Sequence, residues 1–155
     1  MKIAIVGAAY TGRAAALYFR NKGHSVSVST TRQERTAELA EVANHIVVMK
    51  GSDSAGMESL IRDADVVLLS MAGGLGVKDG KPYMDPVAYR DSYVGTADGL
   101  IAALPAAPKL RQIIFCSSMN AYGDANGVNP VNENTPANAA SPAAQVFIEA
   151  EQKLS

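Results

Sequence analysis

The chain has 155 residues, and its 14 Lys plus Arg against 15 Asp plus Glu leave a formal net charge of −1. That length suits one domain of ordinary size, and the near-neutral balance gives no electrostatic reason to expect a nucleic acid or an anionic membrane as partner. The one cysteine, Cys116, excludes an internal disulfide and a cysteine-cluster zinc site, and the two histidines, His24 and His45, lack ligand-like spacing, so no metal is expected.

The first stretch, Ile3 to Phe19 (IAIVGAAYTGRAAALYF), has two readings. Lys2 and the apolar run that follows resemble a secretion signal, with Ala14-Ala15-Ala16 as a mimic of a cleavage site. The run breaks at Tyr10-Thr11-Gly12-Arg13, and Arg13 and Arg20 are badly placed for export. No stretch approaches the ~20 apolar residues of a membrane span. A soluble, cytoplasmic protein is the expectation, with the compartment reducing by default.

In chain order, Lys2–Val6 reads as a strand and Thr11–Asn21 as a helix closed by Gly23. Ser25–Thr30 alternates as a strand does. Arg32–Val42 favours helix and His45–Met49 a third strand; Ser54–Arg62 is a short helix that Ser52 or Asp53 caps. Asp65–Ser70 is apolar through its middle, as suits a strand buried on both faces of a parallel sheet. The glycine-rich MAGGLGVKDGKP, residues 71–82, reads as a loop. Asp85 and Pro86 open a helix as N-cap and first residue, and it runs to about Leu104 before Pro105. Gln112–Cys116 is the fifth strand, Gly123–Pro142 is loop-like, and Gln145–Leu154 returns to helix. Strands separated by such helices mean right-handed βαβ units. The expected fold is α/β, a Rossmann-type doubly wound parallel sheet of about five strands in the order 3-2-1-4-5, with any ligand outside the carboxyl ends near the switch point.

Gly7-Ala8-Ala9-Tyr10-Thr11-Gly12 lies where strand one meets helix one, the context a G-x-G-x-x-G dinucleotide turn requires. Gly7 allows the tight turn, Gly12 lets the helix approach the sheet, and the amides of Tyr10 and Thr11 at the helix start are free for pyrophosphate. Ala9 replaces the middle glycine, and its methyl group stands where the backbone comes nearest the ligand. The end of strand two reads Ser29-Thr30-Thr31-Arg32, with no acid before Glu34. An NAD site usually places an acid there for the ribose 2′-hydroxyl, whereas Arg32, aided by the Thr30 and Thr31 hydroxyls, suits the 2′-phosphate of NADP. NADP is therefore expected ahead of NAD, which stays open. Asp53, in the Gly51–Ser54 segment after strand three, is a candidate beside the adenine. Met71 and Ala72, after strand four, are candidates beside the ribose and nicotinamide half.

The opening IAIVGAAYTGRAAALYFRNKGHSV together with QIIFCSSMNAYGDANGVNPVNENTP resembles the NAD(P)-dependent epimerase/dehydratase family, the extended and atypical branch of the short-chain dehydrogenases. The resemblance covers nearly the whole chain. It implies a Rossmann domain over residues 1–155, with the family's small C-terminal substrate domain absent or truncated. It further implies action on nucleotide sugars or related carbonyl and hydroxyl compounds. In that family a serine after strand five binds the substrate oxygen; Ser118, four residues before Tyr122, matches it, and Ser117 is a neighbour that can hold substrate or nicotinamide ribose.

The family's acid/base is a tyrosine after a Ser-Pro pair, with a lysine four residues on. A phenol near pKa 10 is a poor base at neutral pH unless a cation favours its anion. Aligning Ser141-Pro142 puts Ala143 and Phe147 at those two positions, so both groups are missing. Tyr122 is the nearest phenol in sequence and the candidate substitute. Three functions remain open: an atypical oxidoreductase or epimerase relative acting on a small molecule, a non-catalytic NADP-binding sensor, or a stand-alone scaffold or fragment with no ligand. An exposed sheet edge and a missing lid favour association with another copy.

Overall fold

In the computed structural model, which describes residues 1–123 and 130–155, the first strand is also the middle one. β1 (Lys2–Val6) lies between β2 (Ser25–Thr30) and β4 (Val66–Leu69). β3 (His45–Val48) extends the sheet beyond β2, and β7 (Gln112–Phe115) extends it beyond β4. All four pairings are parallel, and the order β3-β2-β1-β4-β7 is the expected doubly wound one. The sheet turns back on itself between β1 and β4, and this switch point positions the site.

The central strands are apolar on both faces because both faces are covered. Ile3, Ile5, Val26, Val28 and Leu68 pack on the side of α1 (Tyr10–Asn21) and α2 (Thr36–Leu39). Ala4, Val6, Val67 and Leu69 pack on the side of α3 (Ser54–Ile61) and α5 (Thr96–Ala103). A third cluster joins α4 (Pro86–Arg90) to α6 (Pro142–Leu154) through Tyr89, Tyr93 and Phe147.

Local chemistry sets the element ends. After α1, Gly23 takes φ +79°, its N–H donates to Arg20 O at 2.9 Å and that of His24 to Phe19 O at 3.1 Å. This is the paired closing pattern of a helix that stops on glycine. Asp53 caps α3 by accepting from Gly56 N, and Asp85 caps α4 by accepting from Val87 N and Ala88 N with Pro86 first in the helix. Ser141 accepts from Ala144 N with Pro142 next, so α6 starts three residues before the expected Gln145.

Three expectations need correction. Residues 71–82 are not all loop: β5 (Leu75–Lys78) and β6 (Lys81–Met84) form an antiparallel hairpin. Its two-residue turn is Asp79-Gly80, with φ +53° and +72°, the left-handed pair that matches strand twist. The helix expected over Arg32–Val42 is a 3-10 turn (Gln33–Arg35) followed by the four residues of α2. It ends early because the amides of Val42 and Ala43 both turn back to Leu39 O and Asn44 N is already bonded to Val26 O, which commits the chain to β3. The helix expected from Asp85 to Leu104 is interrupted by a π stretch over Asp91–Gly95, where Ser92 Oγ donates to Ala88 O and Thr96 Oγ1 to Ser92 O. Such single π turns widen a helix and re-aim its side chains; this one carries Tyr93.

Candidate functional site

At the carboxyl end of β1 the backbone doubles back at Gly7, with φ +89°. A Cβ there would stand 2.6 Å from Met71 Cα and 2.8 Å from Met71 N, so β1 and the end of β4 approach too closely for any side chain. The turn is wired to both neighbouring strands. Gly7 N donates to Ser29 Oγ at 3.0 Å, Ala8 N to Ser29 O at 2.9 Å, and Ser70 Oγ to Gly7 O at 2.9 Å. Gly12 is buried against the Gly7 carbonyl and Ser70, which brings the first turn of α1 onto the strand end.

Ala9 is the N-cap of α1, no side chain caps that end, and its first turn has no acid. The first amides of a helix have no intrahelical partner, so here they face the cleft with the positive end of the helix dipole. The Ala9 methyl is exposed at the mouth. The cleft between the ends of β1, β2 and β4 is a cavity of about 230 Å³ that includes Gly7, Ala9, Thr31, Arg32, Met71 and Ala72.

Two guanidinium groups stand at the β2 end. Arg32 is exposed and among the described residues has no acidic partner; its N–H donates to Thr30 Oγ1 at 3.2 Å. Arg35 also lines the cleft, and the sequence reading missed it. Its Nη1 donates to Ala8 O at 2.7 Å, while Nη2 and Nε reach Glu38 at 3.0 and 3.3 Å. Arg13 Nε lies 3.0 Å from the same carboxylate. The Arg35 hydrogen bond first, and the charges of Arg35 and Arg13 after it, hold Glu38 below the usual carboxylate range. Arg35 thus clamps the turn, and Arg32 stays exposed at the cleft with no acidic partner among the described residues. The signal available in the sequence was the Arg-x-x-Glu spacing just after the strand.

A second cavity of about 340 Å³ continues from this cleft toward β7; Tyr10, Thr11, Met71, Ala72, Ser117 and Ser118 contribute to its walls. Ser117 Oγ donates to Glu151 Oε1, and Ser118 Oγ accepts from Asn120 N at 3.2 Å, capping a 3-10 turn over Met119–Tyr122. The structure therefore brings most of the candidates from the ends of β1, β2, β4 and β7 around one continuous cleft. Two stand apart. Asp53 is occupied as the α3 cap and does not line either cavity. Tyr122 lines a different hollow, beside Asn120 and Ser141.

Ala143 is half-buried, and Phe147 is buried in the third core cluster. The Phe147 ring lies 4.5 Å from that of Tyr93 and 6.0 Å from that of Tyr89. Tyr93 and Phe147 both reach the wall of the second cavity. Burial, then the neighbouring Tyr89, pushes the Tyr93 phenol up from its ordinary pKa. Position 147 thus holds an aromatic ring, and burial favours the neutral form of the Tyr93 phenol beside it. Among the described residues no group of three or more His, Cys, Asp or Glu could hold a metal, and no helix is long and apolar enough to cross a membrane.

A parallel sheet with a glycine turn, an uncapped helix and a cleft at its switch point defines a dinucleotide-type α/β domain. The chain belongs to the NAD dependent epimerase/dehydratase family, whose family model matches residues 3–148. It is similar to UDP-glucose 4-epimerase from Thermotoga maritima, solved with UDP-glucose (TM-score 0.79, 20% identity, covering 99% of this chain and 50% of that one). It is also similar to a short-chain dehydrogenase/reductase superfamily protein from Agrobacterium tumefaciens with bound NAD (TM-score 0.75, 22% identity, 99% and 44%). The UDP-Glc/GlcNAc 4-epimerase of Campylobacter jejuni gives a TM-score of 0.77 at 22% identity, covering 99% and 47%. The chain therefore spans about half the length of these structures. No curated protein matches it.

Proposed function

We propose that this chain holds a nicotinamide dinucleotide, NADP(H) ahead of NAD(H), and serves an oxidoreductase or epimerase reaction on a carbonyl or hydroxyl compound. The observation that carries the reading is the cleft at the β1–β4 switch point, with a glycine turn, an uncapped α1 and a free Arg32 at the β2 end. The amides of Tyr10 and Thr11 would hold the pyrophosphate. Arg32 and Thr31 would hold a 2′-phosphate, and no acid precedes Glu34 to bind a 2′-hydroxyl in its place. The walls fit such a group because Gly7 leaves room only for backbone and Arg35 fixes the Ala8 carbonyl. The bound nicotinamide would supply hydride transfer. This chain's own part is to orient it against Met71 and Ala72 and to present the Ser118 hydroxyl to a substrate oxygen.

A second reading is favoured by Ala143 and Phe147: a protein that binds the cofactor and transfers nothing. Titrating NADPH and NADH against the protein by calorimetry tests the first step. Saturable binding with NADPH the tighter supports the reading, and failure of both to bind overturns it. Turnover on a panel of carbonyl compounds that Ser118→Ala slows strongly supports catalysis; NADPH binding without turnover selects the second reading.

A further inference from the structure

We infer that the chain carries a second ligand site, at the amino end of the sheet beneath α3, and that it takes the phosphate group of a small hydroxylated monoester. The site lies at the far end of the strands from the proposed cofactor cleft and stands independently of that reading.

The alternation in β2 is where the inference starts. A strand covered on both faces is ordinarily apolar on both. Val26 and Val28 pack in the core on the α1 side, whereas Ser25 and Ser27 alternate onto the α3 side. The register widens this polar strip: Ser27 is level with Ala4 of β1 and His45 of β3, and Ser25 with Lys2. Residues level with one another in neighbouring strands share a face. Small and polar side chains therefore stand where α3 would otherwise meet an apolar surface. Leu60 and Ala64, both buried, close over them without filling the space. What is left is a cavity of about 410 Å³, the size of a small-molecule site.

Its polar groups suit a phosphate. Arg62, at the C-cap of α3, lines the cavity and takes part in none of the ion pairs among the described residues. His45 lines it too, and Ser25, Ser27 and Ser59 bring hydroxyls. Among the described residues no side-chain hydrogen bond engages any of these groups. Lys2 and Asp63 complete the charged lining; they are paired at 3.1 Å, and Lys109 lies 3.6 Å from the same carboxylate. The Lys2 hydrogen bond first, then the charges of Lys2 and Lys109, hold Asp63 below the usual carboxylate range, so its charge is already answered. The lining thus sets two cations, Lys2 and Arg62, against one anion. The opposing influence is the carboxyl end of α3, whose last carbonyls bring partial negative charge; the full charge of Arg62 stands at that same end. A guanidinium fork with hydroxyl donors recognises phosphate oxygens, and the other serine hydroxyls both donate and accept, as the hydroxyls of a ligand require. A bare phosphate would leave most of the cavity to water, so the organic part of the ester is assigned to the remainder.

The chain has two histidines, and imidazole NMR signals read the site directly. His45 lines the cavity; His24 does not, sits against Phe19, and serves as the control. Ribose 5-phosphate, ribose and inorganic phosphate are titrated into the protein at constant pH and ionic strength. Ribose 5-phosphate is expected to shift His45 saturably and His24 little, and to bind at least about 10-fold tighter than ribose and about 3-fold tighter than inorganic phosphate. Arg62→Ala, at an exposed position, is expected to weaken it by about 10-fold or more. Ser27→Val, which removes one hydroxyl and narrows the cavity, is the second variant and is expected to weaken it by about 3-fold or more. Arg32→Ala, in the cofactor cleft, is expected to leave the His45 shift unchanged; its loss there would place the phosphate in that cleft and overturn the inference. No saturable His45 shift, an equal shift of His24, or binding that ignores both Arg62→Ala and Ser27→Val overturns it as well. Ribose binding as tightly as its phosphate removes the phosphate, and inorganic phosphate binding as tightly as the ester removes the monoester.

Discussion

Replacing Gly7 by alanine perturbs the turn at its tightest point, and the cost can be worked from the backbone. Gly7 has φ +89°, where an L side chain costs about 1–2 kcal/mol. Its new Cβ would also meet Met71 Cα at 2.6 Å and Met71 N at 2.8 Å. Those are backbone atoms at the end of β4 and cannot rotate aside, so the strand end must shift, an overpacking cost of about 1–3 kcal/mol. The sum, about 2–5 kcal/mol, is a large part of the roughly 5–15 kcal/mol that holds a domain folded. Gly23 supplies the control: it has φ +79° and nothing within 4 Å of a built Cβ, so Gly23→Ala carries the backbone cost alone. Urea denaturation of both variants reads the difference as a fall in midpoint at unchanged slope. Gly7→Ala should lose clearly more than Gly23→Ala, and its affinity for NADP⁺ should fall as well, because Met71 moves along the cleft wall. Equal midpoints for the two variants would refute the close-approach argument.

The two arginines should separate in cofactor titrations. Arg32→Ala is expected to weaken NADPH by about 10-fold or more and NADH by less than about 2-fold. Arg35→Ala removes the clamp on Ala8 O and should weaken both cofactors together. Glu38 has a folded pKa held below its ordinary 4.5, so its contribution is present above that value and lost as pH falls through the lower folded one. Glu38→Gln should therefore flatten the acid limb of the stability profile below about pH 4.5 and change little at neutral pH; an unchanged limb would show that the cluster contributes nothing. Leu69→Ala, at a fully buried position of β4, should cost about 2–5 kcal/mol in urea denaturation.

The strand order was legible because the central strands are covered on both faces and read as short apolar runs between helices. Element ends were legible where a side chain caps them, as Asp53, Asp85 and Ser141 do. The hairpin was not, although Asp79-Gly80 is a strong turn signal; Gly73, Gly74 and Gly76 around it gave the whole segment the look of a loop. In the site, the glycine turn and the β2 end were legible because backbone geometry and charge are written in local residue types. Ser29, Ser70 and Arg35 were not, because their bonds to Gly7 and Ala8 span 22, 63 and 27 residues. Tyr122 was chosen for being near in sequence, and the 3-10 turn that Ser118 caps carries it to another hollow. Tyr93 needed the π stretch, which no residue type announces.

Phe147 joins these strands of reasoning. A lysine at that position, with a tyrosine at 143, would place a cation beside a phenol and favour the phenolate. The chain instead spends the position on packing: the Phe147 ring closes on Tyr93 and Tyr89, and the α4–α6 cluster gains a buried aromatic. Two consequences follow from one side chain. The cavity that Phe147 lines has no cation in its wall to favour a phenolate, and Phe147 gives that wall an apolar ring. The cleft at the ends of β1 and β2 is lined by Gly7, Ala9, Thr31 and Arg32 and not by Phe147.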